Sequence, residues 1–423
     1  MLQIQKIRSD KDFIIKKILE IRNINVADQI NQIYDLDLQK RETQKSLDEF
    51  SSQMNVLSSQ IGTEFKAGNI DKANNLKTTT TTLKDKIKLL KSSFMNLDNS
   101  IIDLLYQIPN IPNEIVPPGK LESDNEVIFS SDLSQIKNKE LLPHWELCEK
   151  YDLIDFELGV KISGAGFPVY KGKGAILQRA LIQFFLNQGN LDGYQELSVP
   201  HLVNESSGYG TGQLPDKEGQ MYHVSVDDLY LIPTAEVPIT NIYRDVILDY
   251  KDLPVKHVGY TPCFRREAGS YGKEVRGLNR LHQFDKVEIV QITNPNESYN
   301  TLDKMVNYIE GLIKKLELPY RKLKLCGGDL GFTSALTYDL ETYSSGQDKW
   351  LEVSSVSNFE TFQSTRLKLR FRNQDREIEL AHTLNGSALA LPRIMASLLE
   401  INQYQDGIKI PKVLRPYTGF DSI

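Results

Sequence analysis

The 423-residue sequence predicts an α+β protein, a helical arm followed by a larger mixed domain, and three observations carry that reading. Up to about residue 108 the chain is helical in style, with few glycines and no proline before Pro109. Pro109-Asn110-Ile111-Pro112-Asn113 and then Pro117-Pro118-Gly119 interrupt it, as a boundary does. Beyond them glycines, prolines and aromatics become frequent, and short β-like runs alternate with helical ones. The expected organisation is an arm over 1–108, a linker over 109–119 and a second domain over 120–423.

The arm shows its geometry in its spacing. Apolar residues fall at Leu47, Phe50, Met54, Leu57 and Ile61, and again at Leu76, Leu83, Ile87, Leu90, Phe94, Leu97, Ile101 and Leu104, with Thr80 at the missing position. Each series is a heptad seam on one helix. Between them, Gly68 permits reversal and Asn69 can cap the next helix, so the tip is expected over about 62–69. Folding back brings Leu57 to Leu76, Phe50 to Leu83 and Leu36 to Leu97, pairs whose numbers all add to 133. Met54 with Thr80, Leu47 with Ile87 and Ile33 with Ile101 add to 134. One constant register suits a long antiparallel coiled coil over about 27–104, reaching roughly 50 Å from its base. Heptads more often join two chains, but the glycine tip and constant register favour a hairpin within one. Its second helix carries Lys72, Lys77, Lys84, Lys86, Lys88 and Lys91 against Asp71 and Asp85. Such a run is often only a solvated face; its functional counterpart is contact with an RNA backbone, which needs positive charge without base-reading geometry. No function is derived for the Thr78 to Thr82 run.

Bulk composition narrows the setting more than the function. Lys and Arg number 50 against 56 Asp and Glu, a net charge of −6, so no global basic surplus announces a nucleic acid. No apolar run is long enough to span a bilayer, and the first residues mix charges into every turn, unlike a signal peptide. Cys148, Cys263 and Cys326 are few, odd in number and far apart, which argues against a disulfide framework or a four-cysteine zinc site and for a reducing cytoplasm.

The second domain holds the chemistry. There is no GxGxxG after a strand and no GxxxxGK[ST], so a nucleotide would need another scaffold. Cys263-Phe264-Arg265-Arg266-Glu267-Ala268-Gly269-Ser270-Tyr271-Gly272, continuing through Arg276 to Glu288, reads as strand, glycine-bearing loop, strand. Alternation puts Arg265 and Glu267 on one face of the first strand, and Arg280, Phe284 and Glu288 on one face of the second. Guanidinium groups clamp phosphates, an aromatic ring stacks on a base, and carboxylates accept from amino groups. A salt-bridged solvent face has the same pattern, and Leu281, Val287 and Ile289 on the other side fit either reading.

Phe264-Arg265-Arg266-Glu267 with Arg280 resembles motif 2 of the class II aminoacyl-tRNA synthetases. The helix-like Gly174 to Leu186 followed by Gln195 to Pro200 resembles motif 1, and Thr383 to Arg393 resembles motif 3. Within that class, Thr234-Ala235-Glu236, Gly210 to Pro215 and Glu352-Val353-Ser354-Ser355 are similar to the seryl family, as is an N-terminal helical hairpin. The likeness runs in order over essentially the whole chain.

The resemblance implies a class II catalytic domain with a mainly antiparallel sheet flanked by helices. It implies a serine–tRNA ligase that forms seryl-adenylate from L-serine and ATP with Mg²⁺, then loads tRNA(Ser), leaving tRNA(Sec) open as a second acceptor. It further implies a homodimer with the proline of motif 1 at its interface, the arm of one subunit gripping tRNA for the other's site. Residue by residue, Arg265 would hold the α-phosphate and the reactive carboxylate, Glu267 would contact adenine and Phe284 would stack beneath it. Arg393 would bind the distal phosphates from the first turn of a helix begun by Pro392. Glu352 and Ser355 would hold Mg²⁺; their parities differ, so both face one site only at a strand end or bulge. Arg266, Arg280, Leu281, Val353 and Ser354 complete the expected ATP site. Thr234, Ala235, Glu236, Arg265 and Glu288 would form the serine pocket, closed by Thr383 and Ser387, and Lys72, Lys77, Lys84, Lys88 and Lys91 would meet tRNA.

The chemistry suits that inventory. An ionised carboxylate attacking phosphorus needs no general base, so no acid–base role falls to His282 and catalysis reduces to alignment and charge neutralisation. Arg266, Val356 and Pro392 stand where the seryl pattern often has serine, cysteine and glycine; none removes a presumed ligand. Gly164 to Pro168 has no derived role. Two rivals remain at this stage: a class II ligase for threonine, proline or a carrier protein, and an RNA-binding homologue with a dead site. The Thr-Ala-Glu segment and the long arm oppose the first; Arg265, Glu267, Glu352 and Arg393 oppose the second.

Overall fold

A computed structural model describes residues 1–134, 136, 141–267 and 276–423. The chain divides into two compact units, one of Leu2–Leu19 with Ile24–Pro109, the other of Met1, Glu20–Asn23 and Asn110–Ile423. The division at Pro109 falls where proline ends the helical texture. The segment expected as a linker is anchored: the Asn110 amide donates to the Phe332 carbonyl at 2.9 Å, and its side chain donates to the carbonyls of Thr333 and Phe359 at 3.0 and 2.9 Å.

The helical unit is built on α1 (Ile4–Arg22), α2 (Ala27–Lys66) and α3 (Ile70–Leu105). The seam residues Leu47, Phe50, Met54, Leu57 and Ile61 are half-buried, while Thr80, Leu83, Ile87 and Ile101 on α3 are buried. Thr80 keeps its seam position because its hydroxyl bonds back to the carbonyls of Leu76 and Lys77 at 3.1 and 2.7 Å, leaving its methyl for packing. Arg8 of α1 forks onto buried Asp37 of α2 with two 2.7 Å hydrogen bonds. The tip differs from the expectation in two ways. α2 runs through Gly62 to Lys66, since one helical glycine costs only about 1 kcal/mol, so the turn is Ala67 to Asn69 with Gly68 at φ +79. Asn69 makes no side-chain cap; its amide donates to Glu64 at 2.7 Å instead.

The second unit is organised by an eight-stranded sheet. In chain order its strands are β1 (Glu126–Ser130), β2 (Gln195–Glu196), β3 (Val255–Phe264), β4 (Gln283–Thr293), β5 (Tyr320–Lys324), β6 (Leu336–Ser344), β7 (Lys349–Asn358) and β8 (His382–Ala390). Their spatial order is β1-β5-β6-β7-β8-β4-β3-β2, every pairing antiparallel except β2 with β3, as the predicted mainly antiparallel sheet requires. Helices α4 (Gly172–Leu191), α5 (Ser298–Lys315) and α6 (Leu391–Ile401) cover it. α5 buries Leu302, Met305, Val306, Ile309, Leu312 and Ile313, a 3.6-residue stripe.

β4 shows what positions the site. Its odd residues Val287 and Ile289 enter the main core. On the even face, Val290 is covered by Ala235 and Ile239, and Ile292 by Leu367 and Phe371. Phe284, Lys286 and Glu288 occupy the remaining stretch of that face, at the end where β8 passes into α6. Among the described residues no helix is long and apolar enough to cross a membrane.

Candidate active site

A single open cleft gathers Arg265 and Glu267 from the end of β3, Arg280, Leu281 and Phe284 from the start of β4, Glu352 and Val353 from β7, and Ser387 and Arg393 from β8 and α6. Segments more than a hundred residues apart in sequence therefore meet on one surface. Strand parity does not place all of them. β3 ends at Phe264 and β4 begins at Gln283, so Arg265, Glu267 and Arg280 lie just beyond the ladder. Glu267 adopts a left-handed backbone (φ +48) and pairs with the Arg280 guanidinium. The chain crosses there on one more backbone pair, Arg265 N–H to His282 C=O at 2.9 Å. The string Ala268 to Gly272 lies outside the described residues.

Phe167 stacks on the His282 ring at 5.4 Å, and the His282 amide donates to the Gly166 carbonyl at 2.9 Å. Gly166 has φ +83, and a β-carbon there would lie 2.5 Å from the ring. The Gly164 to Pro168 segment, for which the sequence offered no reason, is thus the bed for His282. That histidine packs and hydrogen-bonds.

The cations of the cleft are aimed by backbone acceptors. Arg265 Nε donates to the Pro233 carbonyl at 3.3 Å, and its guanidinium lies 5.2 Å from the Phe284 ring centre. Arg393, in the first turn of α6 behind Pro392, donates from Nε to the Asn279 carbonyl at 3.0 Å and from Nη1 to the Glu352 carbonyl at 2.7 Å. Its Nη1 also stands 3.5 Å from Glu352 Oε2. An arginine held through two of its nitrogens is ready to meet an anion without first losing side-chain freedom.

The parity problem of Glu352 and Ser355 is resolved by a bulge. Leu340 faces Ser354 and Glu341 faces Glu352, leaving Val353 as the extra residue. Ser355 then pairs with Asp339 across the strands. Burial, and next the Glu352 charge, push the Asp339 carboxyl well above its ordinary range, while a hydrogen bond from Ser355 opposes them. The donors here are oxygen only, Glu352 and the Ser355 hydroxyl, with Asp339 Oδ1 buried and lacking a hydrogen-bond partner among the described residues. That chemistry fits Mg²⁺, which takes one or two protein oxygens and draws the rest from water and phosphate. Ser354 turns inward, its hydroxyl donating to the Ser387 carbonyl at 2.6 Å, and Arg266 is exposed, its amide donating to the Gln220 carbonyl at 2.8 Å.

Behind the cleft lies a buried polar pocket containing Thr234, Glu236, Glu288 and Thr383, with Ala235 fully buried at its wall. Glu236 accepts from Gln363 Nε2 at 2.6 Å and from Asn385 Nδ2 at 2.8 Å. Asn385 also donates to Glu288 at 3.1 Å, and Thr383 donates to Gln363 at 2.7 Å. Lys286 joins pocket and cleft: its ammonium lies 2.6 Å from Glu288 and donates to Thr234 Oγ1 at 3.0 Å. Ser387 does the same from β8, donating to Glu288 at 3.4 Å. Burial and then the neighbouring Glu288 charge push the Glu236 carboxyl up to about 7. With Glu288 paired to Lys286 and Glu236 raised to about 7, the cluster presents carboxyl oxygens that an arriving ammonium group would meet and favour in their ionised form.

Sequence reasoning missed Lys286, Gln363, Asn385 and Asn279. Lys286 had a signal, since it shares parity with Phe284 and Glu288 on one strand. Asn385 had the same kind of signal, sharing parity with Thr383 and Ser387 on β8; Gln363 had none, and reaches Glu236 from a short helix.

An antiparallel sheet carrying arginines, an oxygen-donor edge and a polar ammonium pocket at one end of its central strands defines a class II aminoacyl-tRNA synthetase core. Residues 222–402 match the family model for the class II tRNA synthetase core domain (G, H, P, S and T), and residues 1–112 match that for the seryl-tRNA synthetase N-terminal domain. A serine–tRNA ligase of Salinibacter ruber is 47% identical over 100% of this chain and 99% of its own, and one of Methylacidiphilum infernorum is 44% identical over 99% of each. The seryl-tRNA synthetase of Pyrococcus horikoshii, solved in complex with ATP, superposes with a TM-score of 0.92 at 34% identity, covering 100% of this chain and 99% of that one. The chain belongs to the seryl-tRNA synthetase family, and it is an aminoacyl-tRNA ligase.

Proposed function

We propose that the protein condenses L-serine with ATP to seryl-adenylate and pyrophosphate, then transfers the seryl group to the 3′ end of tRNA(Ser). The observation that carries this reading is the convergence of Arg265, Arg393 and Glu352 on one cleft that opens, through Lys286 and Ser387, onto the buried Glu236 and Glu288 pocket. The serine ammonium lies against the two carboxylates. Its hydroxyl is met by polar side chains that would be left unpaired by alanine, which supplies discrimination. Its carboxylate, already ionised, is brought beside Arg265 for in-line attack on the α-phosphorus; the pyrophosphate leaves toward Arg393. Glu267 contacts adenine and Phe284 carries the base. Glu352 and Ser355 would hold Mg²⁺, which when bound neutralises phosphate charge.

The helical arm is the tRNA-binding element in this reading. Lys72, Lys77, Lys84, Lys86, Lys88 and Lys91 are all exposed, but Lys72 pairs with Glu64, and Lys77 and Lys86 lie over Phe65 and Phe50. Lys84, Lys88 and Lys91, spaced to share one face of α3, are best placed for a phosphate backbone. Two copies associate through the helix α4 and the Gln195 to Pro200 segment, whose Pro200 is exposed. The three cysteines are buried free thiols, in keeping with a reducing cytoplasm.

Amino-acid-dependent ATP–pyrophosphate exchange, run beside a charging assay, tests the whole reading. Exchange is expected with serine and not with threonine, proline or alanine. Exchange driven by another amino acid would overturn the substrate, and charging absent despite exchange would overturn the acceptor.

A further inference from the structure

Behind the cleft, on the side away from the serine pocket, lies a closed ring of polar groups that no step above uses. His144 and Glu400 are both fully buried. Glu400 Oε1 accepts from His144 Nδ1 at 2.8 Å and from the His144 amide at 2.9 Å. Glu400 Oε2 accepts from the Ser344 hydroxyl at 2.5 Å and from the Gly346 amide at 3.0 Å. Burial pushes the Glu400 carboxyl up, but the hydrogen bonds from His144 and Ser344 outweigh it and hold the group below its ordinary range. With four donors converging on one carboxylate, His144 must carry its proton on Nδ1.

That leaves the Nε2 lone pair free to accept, and it takes the backbone N–H of Leu278 at 2.9 Å. Gly277 makes the approach possible: it sits at φ +67, and a β-carbon there would fall 2.3 Å from His144 Nε2. Beside this contact the Arg276 guanidinium lies over the Trp145 ring at 4.7 Å. The ring closes through Asn279, whose side chain exchanges hydrogen bonds of 2.7 and 3.2 Å with Gln347; Gln347 in turn donates to Ser344 at 2.8 Å. Leu278 N–H, His144 Nδ1–H, the Gln347 amide and the Ser344 hydroxyl donate in relay toward Glu400, and the Asn279–Gln347 pair is satisfied in both directions, so one proton arrangement serves the circuit.

The circuit ties two parts of the cleft to each other. Glu400 and Arg393 lie seven residues apart on α6, on nearly the same helical face. Leu278 and Asn279 form the stretch leading into β4, and the Asn279 carbonyl is the acceptor that holds Arg393 Nε. We propose that His144 is a positioning residue: fixed as its Nδ1–H tautomer by Glu400, it anchors the Leu278–Asn279 backbone to α6 and so sets the aim of Arg393. Among the described residues its hydrogen bonds go to Glu400 and Leu278, so its influence falls on the triphosphate side of the cleft.

The inference rests on the ATP reading of that cleft, and the experiment separates the two. In pyrophosphate exchange with the full-length protein, ATP and serine are varied separately for wild type, His144→Gln and His144→Asn. Glutamine can place an acceptor where Nε2 lies, facing Leu278; asparagine keeps only the donor to Glu400. Positioning predicts that asparagine raises KM for ATP roughly tenfold or more with KM for serine little changed, and that glutamine recovers most of the loss. Equal effects of the two substitutions, or equal shifts in both KM values, would overturn it. Should both His144 variants fail to fold, Gln347→Ala opens the ring from its outer side; a selective rise in KM for ATP supports the proposal, and an unchanged value sinks it. A wild type with no serine-dependent exchange refutes the ATP reading instead. Hydrogen exchange then judges the anchor alone: a protected Leu278 amide upholds it, and one exchanging at the unfolded rate overturns it.

Discussion

In the helical unit each seam residue repeats the task of its neighbour seven positions away, whereas in the cleft no two residues do the same thing. Leu83, Ile87 and Ile101 are buried by one rule, and Thr80 can stand in for a leucine because the rule tolerates it. Arg265, Glu352 and Arg393 follow no shared rule; they meet because β3, β7 and the β8–α6 junction end beside one another. A repeating structure spreads its energy over many equivalent contacts, so single changes cost little. A convergent site concentrates function in a few side chains, so single changes cost much.

The contrast is sharpest at Arg265. Arg265→Ala is expected to lower serine-dependent pyrophosphate exchange by roughly 10²- to 10³-fold, the usual cost of removing one charge-stabilising donor, while the melting temperature stays near that of wild type. Arg265 is half-buried and its side chain's hydrogen bond to the Pro233 carbonyl is long, at 3.3 Å, so the fold has little to lose. Exchange within a few-fold of wild type would break the comparison, since the cleft would then distribute its function as the arm does.

The arm should answer in a different currency. Replacing Lys84, Lys88 and Lys91 together by glutamate should raise KM for tRNA by roughly tenfold or more, with a reduced salt dependence, and leave exchange unchanged. The three lysines are exposed and outside the seam, so the coiled coil persists. A fall in both reactions alike would show that the arm supports the fold and not the acceptor.

These two experiments mark out what was legible in the chain. The seam of the arm was readable, because a heptad repeat is a linear code and the series positions Thr80, Leu83, Ile87 and Ile101 are the ones buried. Its tip, expected over about 62–69 with Gly68 permitting the reversal, narrows to 67–69, because the single glycine at 62 does not stop a helix held by a seam on both sides. The sheet itself was only coarsely legible: parity grouped Phe284 with Glu288 but failed at Arg265 and Arg280, which lie past the ends of the strands. The unlike parity of Glu352 and Ser355 called for a strand end or a bulge, and the bulge at Val353 is the one the sheet uses. Gln363 and the His144–Glu400 ring were invisible, because partners 127 residues apart (Glu236 with Gln363) or 256 apart (His144 with Glu400) leave no trace in local spacing.

The buried carboxylates supply a smaller, pH-dependent effect. Glu236 is pushed from 4.5 up to about 7 by burial and then by Glu288. A carboxyl whose pKa is higher in the folded chain favours folding while it is protonated; that contribution is whole below 4.5 and is lost as pH rises through about 7. Glu236→Gln mimics the protonated form, so without serine it should melt a few degrees above wild type at about pH 8 and close to wild type at about pH 5. A difference of equal size at both pH values would show that the carboxyl is not the source. Asp37 of the arm behaves oppositely: held below its ordinary 3.8 by Arg8, it contributes stability that is whole above that value and is lost only as pH falls below it, so it adds nothing to a comparison of about pH 5 with about pH 8.

The smallest effects return to the arm, where the same substitution should change sign with position. At Gly62, inside α2, a β-carbon meets nothing within 4 Å, so Gly62→Ala should stabilise the helix by about 0.5–1 kcal/mol through lost backbone freedom in the unfolded chain. At Gly68 the space is equally open, but φ is +79, a conformation that costs an L-residue about 1 kcal/mol or more, so Gly68→Ala should destabilise by a similar amount. Thermal melts followed by the helical circular dichroism signal would read both. Since neither β-carbon touches a neighbour, any difference in sign must come from the backbone alone. Two shifts in the same direction would mean that the turn at 67–69 is not the fixed reversal point on which the single register of the hairpin depends.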